Sequence, residues 1–257
     1  MKGYCPLGSG SKGNSIYFGT ENTKILIDAG LSGRVIKQRL AEINVSLEEI
    51  EAVLVSHDHF DHIQGLKVLG LRYHIPIMAN TETAKGIYAY LRECPEFLIF
   101  TTGESFTFKD IEIHPFSIQH DTADPVAFTI ISAGLKWGFC TDLGFPSPIV
   151  RHQLRGCDYL YIEANHEPHM VHACNRPMVY KQRVLSRSGH LSNEACADLL
   201  ADIVHDELKH IQLAHLSQEC NSPETALEII KSKLREKGRE IKVSIAPQER
   251  IGEAVYY

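Results

Sequence analysis

A chain of 257 residues with 44% hydrophobic content can bury a substantial core, and residues 1–257 read as a single domain. No apolar run approaches a membrane span, and the start (Met1-Lys2-Gly3-Tyr4-Cys5-Pro6) lacks the apolar core of a secretory signal, so a soluble cytoplasmic protein with no membrane partner is expected. A net charge of −6 argues against a protein that coats nucleic acid over its whole surface, and seven cysteines, odd in number and without a C-x-x-C pair, argue against a disulfide framework or thiolate zinc knuckle.

Residues 3 to 15, rich in Gly and Ser, read as a tight loop that approaches a phosphate through its backbone or merely connects strands. Ile16-Tyr17-Phe18 and Lys24 to Asp28 form a predicted hairpin turned at Glu21-Asn22-Thr23. A helix from Ser32 carries Ile36, Leu40 and Ile43 on one stripe, and Ser46-Leu47-Glu48-Glu49 has the form of a capping box. Ala52-Val53-Leu54-Val55 is too short for a helix and reads as a buried strand.

That strand delivers His57-Asp58-His59-Phe60-Asp61-His62, three imidazoles and two carboxylates beside one another. His57 and His59, two apart in extended chain, point to one face and can grip one ion, while Asp61 and His62 enter a helix and can turn toward a second. The pattern suits zinc, manganese or iron.

Beyond it, Ile63 to Leu71 and Ala84 to Leu91 read as helices around a strand at Pro76 to Ala79. Thr107 to His120 alternates like a meander and ends on an imidazole. Strands at 127–130 and 136–140 lead to Asp142, a helix spans Ile149 to Leu154, and the strand Tyr159 to Ile162 ends in Glu163-Ala164-Asn165-His166. Pro168 to Asn193 contains no Asp or Glu but has Arg176, Lys181, Arg183 and Arg187, a basic block that suits phosphates or a solvated helix face. Ser192 caps a predicted helix from Glu194 to Val204, a strand at 210–214 ends at His215, a helix covers Pro223 to Glu236, and 241–245 is a closing strand.

Asp28, the 57-to-62 cluster, His120, Asp142 and His215 thus follow one another at strand ends. The whole pattern resembles the metallo-β-lactamase superfamily. Within it the segments Gly8 to Ser15, Leu26 to Ser32, Glu163 to His166, Ser188 to Asn193 and Leu213 to Asn221 resemble the YycJ/WalJ group, related to ribonuclease Z and RNase J. Phe60, where a smaller residue is usual, and Cys220, where Asn is expected, depart from that pattern.

The resemblance implies an α/β fold, a four-layer αβ/βα sandwich of two packed mixed sheets flanked by helices, with two divalent metal ions (Zn²⁺ or Mn²⁺, with Fe as an alternative). It implies that His57, His59 and His120 hold one ion, that Asp61, His62 and His215 hold the other, that Asp142 bridges them and that Asp28 supports them from behind. His190 is the competing choice for the last ligand. His215 is preferred because it directly follows a strand, which leaves His190 as a phosphate contact or the acid that protonates the leaving oxygen. Asp61, Asp142 and His190 are then the candidate catalytic residues, and Ser11, Asn14, Asn165, Arg183, Arg187 and His190 the candidate substrate contacts.

The activity implied is a phosphodiesterase or nuclease, specifically a DNA exonuclease acting from 5′ ends; no protein partner is indicated. A glyoxalase-type thioesterase and a catalytically silent regulatory module are the competing functions. Redox di-iron relatives carry a carboxylate where this chain has His59.

Overall fold

The computed structural model describes residues 1–257. In chain order the first elements are β1 (Gly3–Gly8), β2 (Ser15–Gly19), β3 (Lys24–Ile27), α1 (Gly33–Glu42), β4 (Ala52–Leu54), α2 (Phe60–Ile63), α3 (Leu66–Arg72), β5 (Ile77–Ala79), α4 (Thr81–Leu91), β6 (Phe97–Ile99) and β7 (Phe106–Phe108). Then come β8 (Ile111–Ser117), β9 (Val126–Ser132), β10 (Leu135–Cys140), α5 (Pro148–Leu154), β11 (Tyr159–Glu163), α6 (Pro168–Ala173) and α7 (Met178–Val184). The chain closes with α8 (Asn193–Ile203), β12 (His210–Ala214), α9 (Pro223–Glu236), β13 (Lys242–Ile245) and β14 (Val255–Tyr256).

These strands form two mixed seven-stranded sheets flanked by helices, ordered β14-β1-β2-β3-β4-β5-β6 and β13-β12-β11-β10-β9-β8-β7. In the first sheet β1 to β3 pair antiparallel and β3 to β6 parallel; in the second β10 to β13 pair parallel. Parallel strands covered on both faces carry apolar side chains at successive positions. The run Ala52-Val53-Leu54-Val55 follows that rule, each residue at most 2% exposed.

The chain divides into two compact units. The first comprises Met1–Pro115, Thr122–Val126 and Ala246–Tyr257, and the second Phe116–Asp121 and Ala127–Ile245. In the first, Leu26, Val53 and Ile77 of the sheet pack against Ile36 and Leu40 of α1, Leu66 and Leu69 of α3, and Ile87 of α4. Ser32 caps α1 and the Ser46–Glu49 capping box is formed, as their sequences predict. In the second, Leu160, Ile162, Ile211 and Leu213 pack against Leu199 and Leu200 of α8 and Ile230 and Leu234 of α9.

One reading of the chain needs correction. Gly3 to Gly8 is a buried strand rather than the start of a loop, because β2 and β14 pair on either side of it and supply the hydrogen bonds that its Gly and Pro content would not itself favour. Only 9–14 form the tight connection. Two short strands, β6 and β14, carry too little pattern to be read from sequence.

Candidate metal centre

In the first unit, β4 hands the chain through Ser56 to His57. Asp28 sits just past β3 with φ 59°, a left-handed conformation that a non-glycine residue adopts only when its surroundings hold it there. Its buried carboxylate accepts the Ser56 N–H at 2.8 Å, the Ser56 hydroxyl at 2.9 Å, and His62 Nδ1–H at 2.8 Å. With the hydroxyl proton committed to Asp28, the 2.9 Å contact between Ser56 Oγ and His57 Nδ1 requires Nδ1 to be the donor. Both imidazoles are therefore fixed in the tautomer that leaves Nε2 as a lone-pair donor, the state a metal ligand needs.

His59 caps α2 in extended conformation, and the single turn of that helix brings Asp61 and His62 round toward it. The rings of His57 and His59 lie 4.8 Å apart and those of His57 and His62 4.0 Å. The 9–14 connection packs onto this cluster. Asn14 N–H bonds to Asp61 O, Gly30 N–H to Asn14 O, and Ala29 N–H to His62 O, each at 2.8 Å. A Cβ at Gly30 would run into the Asp61 carbonyl, so glycine there is a condition of the arrangement. The Asn14 side chain accepts Gly10 N–H at 2.7 Å and brings its amide nitrogen within 3.0 Å of His62 Nε2 and 3.3 Å of Asp61 Oδ2.

In the second unit the candidate donors are His120, Asp142, His190 and His215. Asp142 (φ 57°) and His215 (φ 54°) repeat the left-handed turn at strand ends seen at Asp28. His120 donates Nδ1–H to Gly189 O at 3.1 Å, the tautomer in which Nε2 keeps its lone pair. Glycine at 144 and 189 permits this close packing, since a Cβ at either would strike the backbone of Arg187 or Arg183.

Glu163, at the end of β11 and wholly buried, is the residue that sequence reasoning left out of the site. Its Oε1 accepts Nδ1–H from both His190 and His215 at 2.8 Å, and its Oε2 accepts the backbone N–H of Leu143 at 2.7 Å and of Leu191 at 3.2 Å. Burial alone would raise its pKa, but the charge and hydrogen bonds of His190 and His215 hold the carboxyl well below the usual carboxylate range. A lone acid ending an apolar strand was the available signal, since a buried carboxylate needs such partners. Asp142, Glu163, His190 and His215 bring their ligand atoms within 4.8 Å of one another.

His190 and His215 thus share one anchor. The His190 side chain is 17% exposed and that of His215 3%, so His190 is the one that can face a substrate. Asn165 is buried and its amide donates to His215 O at 2.7 Å. Asn221, which follows Cys220, ties together with its amide the carbonyls of Ala164 (2.9 Å) and Asn165 (3.0 Å).

Ser11 is exposed. Arg183 forms a two-point pair with Asp121 (2.6 and 3.2 Å) and Arg176 pairs with Glu219, so the basic block carries less net charge than its own sequence shows. Arg187 stacks its guanidinium 4.1 Å over the Phe145 ring.

Imidazoles held through Nδ1 by buried carboxylates, hydroxyl or carbonyl, interleaved with aspartates, fit divalent transition metals. Fold and donors together define the class: residues 23–211 match the Beta-lactamase superfamily domain, and the chain belongs to that superfamily of metal-dependent hydrolases. Within it the chain belongs to the YycJ/WalJ group. It is 37% identical over 234 residues to exodeoxyribonuclease YycJ of Bacillus anthracis, covering 90% of this chain and 89% of that one. It is 37% identical over 227 residues to exodeoxyribonuclease WalJ of Streptococcus pneumoniae, covering 87% and 84%. Among solved structures, the metallo-β-lactamase fold protein YhfI of Bacillus subtilis superposes with a TM-score of 0.73 at 16% identity, covering 98% of each chain.

Proposed function

We propose that this chain is a dinuclear metal-dependent exodeoxyribonuclease acting from 5′ ends. The observation that carries the reading is the similarity, across about nine tenths of the chain, to two proteins named exodeoxyribonucleases, in a chain whose histidines and carboxylates gather in groups that could hold metal. His57, His59 and His120 would hold one ion, Asp61, His62 and His215 the other, and Asp142 both. When bound, zinc, manganese or iron ions would supply the activated water and the charge that stabilises an in-line displacement at phosphorus.

The protein's own groups do the rest. Asp28 and Ser56 fix the tautomers of His57 and His62, and Glu163 does the same for His215. His190, held by the same carboxylate but more exposed, would act as the imidazolium and give its Nε2 proton to the leaving oxygen, while Nδ1–H stays on Glu163 and orients the ring. Asn14 and Asn165 would position phosphate indirectly through the groups they touch, and Arg187 and Ser11 would meet the backbone directly. With Arg183 already paired, Arg187 is the better test of backbone contact. No helix is long and apolar enough to cross a membrane, and a cytoplasmic setting suits seven free thiols.

The test is to load the purified chain with manganese or zinc and supply duplex and single-stranded DNA labelled at the 5′ or the 3′ end, RNA, and a thioester. Early release of the 5′ label as a mononucleotide is expected. Early release of the 3′ label would reverse the polarity, and cleavage of the thioester alone would remove the nuclease reading.

A further inference from the structure

Phe60 stands between two metal-donor residues, His59 and Asp61, as the first residue of α2, and is 57% exposed. Its ring meets that of Tyr90 on α4 edge-on, centroids 5.8 Å apart and planes at 84°, and Tyr90 is itself 39% exposed. α4 comes this close because residue 86 is glycine: a Cβ there would strike the side chain of Asp58 in the donor loop. Tyr90 lies one helical turn beyond Gly86 and so on the same side of α4. A single exposed aromatic is ordinary. Two rings held perpendicular at the donor loop, by a helix that only glycine lets approach, are a built feature.

From this geometry we infer that Phe60 and Tyr90 form a stacking platform for a nucleobase of the DNA substrate, an inference that rests on the nuclease reading above. A perpendicular pair leaves ring faces open to a planar partner. The flanking donors occupy adjacent positions in the chain, so a nucleotide whose phosphate is engaged there has its base within reach of Phe60. Every base has a π-face, so stacking holds the strand without reading its sequence, as an enzyme that advances along DNA requires. The same residue accounts for the departure at position 60: a smaller side chain would leave Tyr90 without its partner.

The experiment uses the full-length, metal-loaded protein and a phosphorothioate-linked oligonucleotide with 2-aminopurine at each of the terminal nucleotides in turn, read by fluorescence and Kd. Stacking quenches the probe in wild type and in Phe60→Tyr. In Phe60→Leu and Tyr90→Ala the quench is lost, and Kd weakens about 5- to 150-fold in Phe60→Leu, the span expected for losing one stacked base. An abasic nucleotide at the same position should erase the difference between wild type and Phe60→Leu. Quenching and Kd in Phe60→Leu equal to wild type would overturn the platform while leaving the nuclease reading intact. A wild-type protein that neither binds nor degrades DNA would overturn both.

Discussion

Glu163 uses one oxygen to hold two histidines, which makes it the residue whose chemistry reaches furthest. Glu163→Gln keeps the shape but removes the charge, and metal affinity should weaken about 10- to 100-fold, as for other supports of ligating histidines; an unchanged metal titration would return Glu163 to a purely structural role. His190→Ala should retain the full metal content of wild type and lose about 10²- to 10⁴-fold in turnover. Loss of an ion in that variant, with His215→Ala still binding as wild type, would show the two histidines to be interchanged. A third residue predicts a pH dependence. His166 is buried, and that burial brings its pKa down to about 4, the field of Glu163 opposing and that of His190 adding to the effect. The unfolded chain binds this proton below about 6.5 while the folded one does not until about 4. Stability from the neutral imidazole is therefore complete above about 6.5 and is lost as pH falls toward 4, at most about 3 kcal/mol. Urea unfolding of metal-free wild type and His166→Gln at pH 7 and 4.5 measures it: the variant should lose less on acidification, and parallel losses would discount His166. At this scale the histidines and aspartates of the proposed ligand set were legible in the sequence because such a density of imidazole and carboxylate has few other uses. Glu163 and Ser56 were not, since each is a single common residue whose role appears only when folding brings His190, His215 or Asp28 against it.

Among the elements, the strands that carry donors were legible because β4, β10, β11 and β12 are short apolar runs cut off by polar residues. β1 was not, since what makes Gly3–Gly8 a strand is the pairing with β2 and β14, contacts far away in sequence. The 9–14 connection, β3 and α2 are held together by backbone contacts that depend on glycine at position 30. Gly30→Ala should cost more than about 4 kcal/mol, a magnitude reserved for forced displacement of packed backbone, and should weaken metal binding along with it. Gly156 offers the comparison: its φ is +70° but nothing lies near its Cβ, so Gly156→Ala should cost only the left-handed penalty of about 1–2 kcal/mol. Denaturant titrations of both variants check this, and equal costs would show that close approach at Gly30 is unimportant.

For the whole molecule, the proposed ligands are far apart in sequence, from His57 to His215, and only folding gathers them, so metal should bind the folded chain far better than the unfolded one. Loading at a thousandfold excess over Kd should add about 4 kcal/mol per ion. The single tryptophan, Trp137, lies buried on β10 in the second unit and reports that unit by fluorescence, while far-UV circular dichroism reports both. Chelation should lower the transition seen by Trp137; a midpoint indifferent to chelator would separate the metals from the fold. The left-handed backbone shared by Asp28, Asp142 and His215 bears on how such a protein can be improved. Glycine adopts that conformation freely, and each of the three residues holds it at a cost of order 1–3 kcal/mol. A directed-evolution campaign that screened for heat resistance in the presence of chelator, with no ion to reward the donor side chains, would therefore be drawn to glycine at position 142, and its most robust descendants would be the ones that had discarded their chemistry.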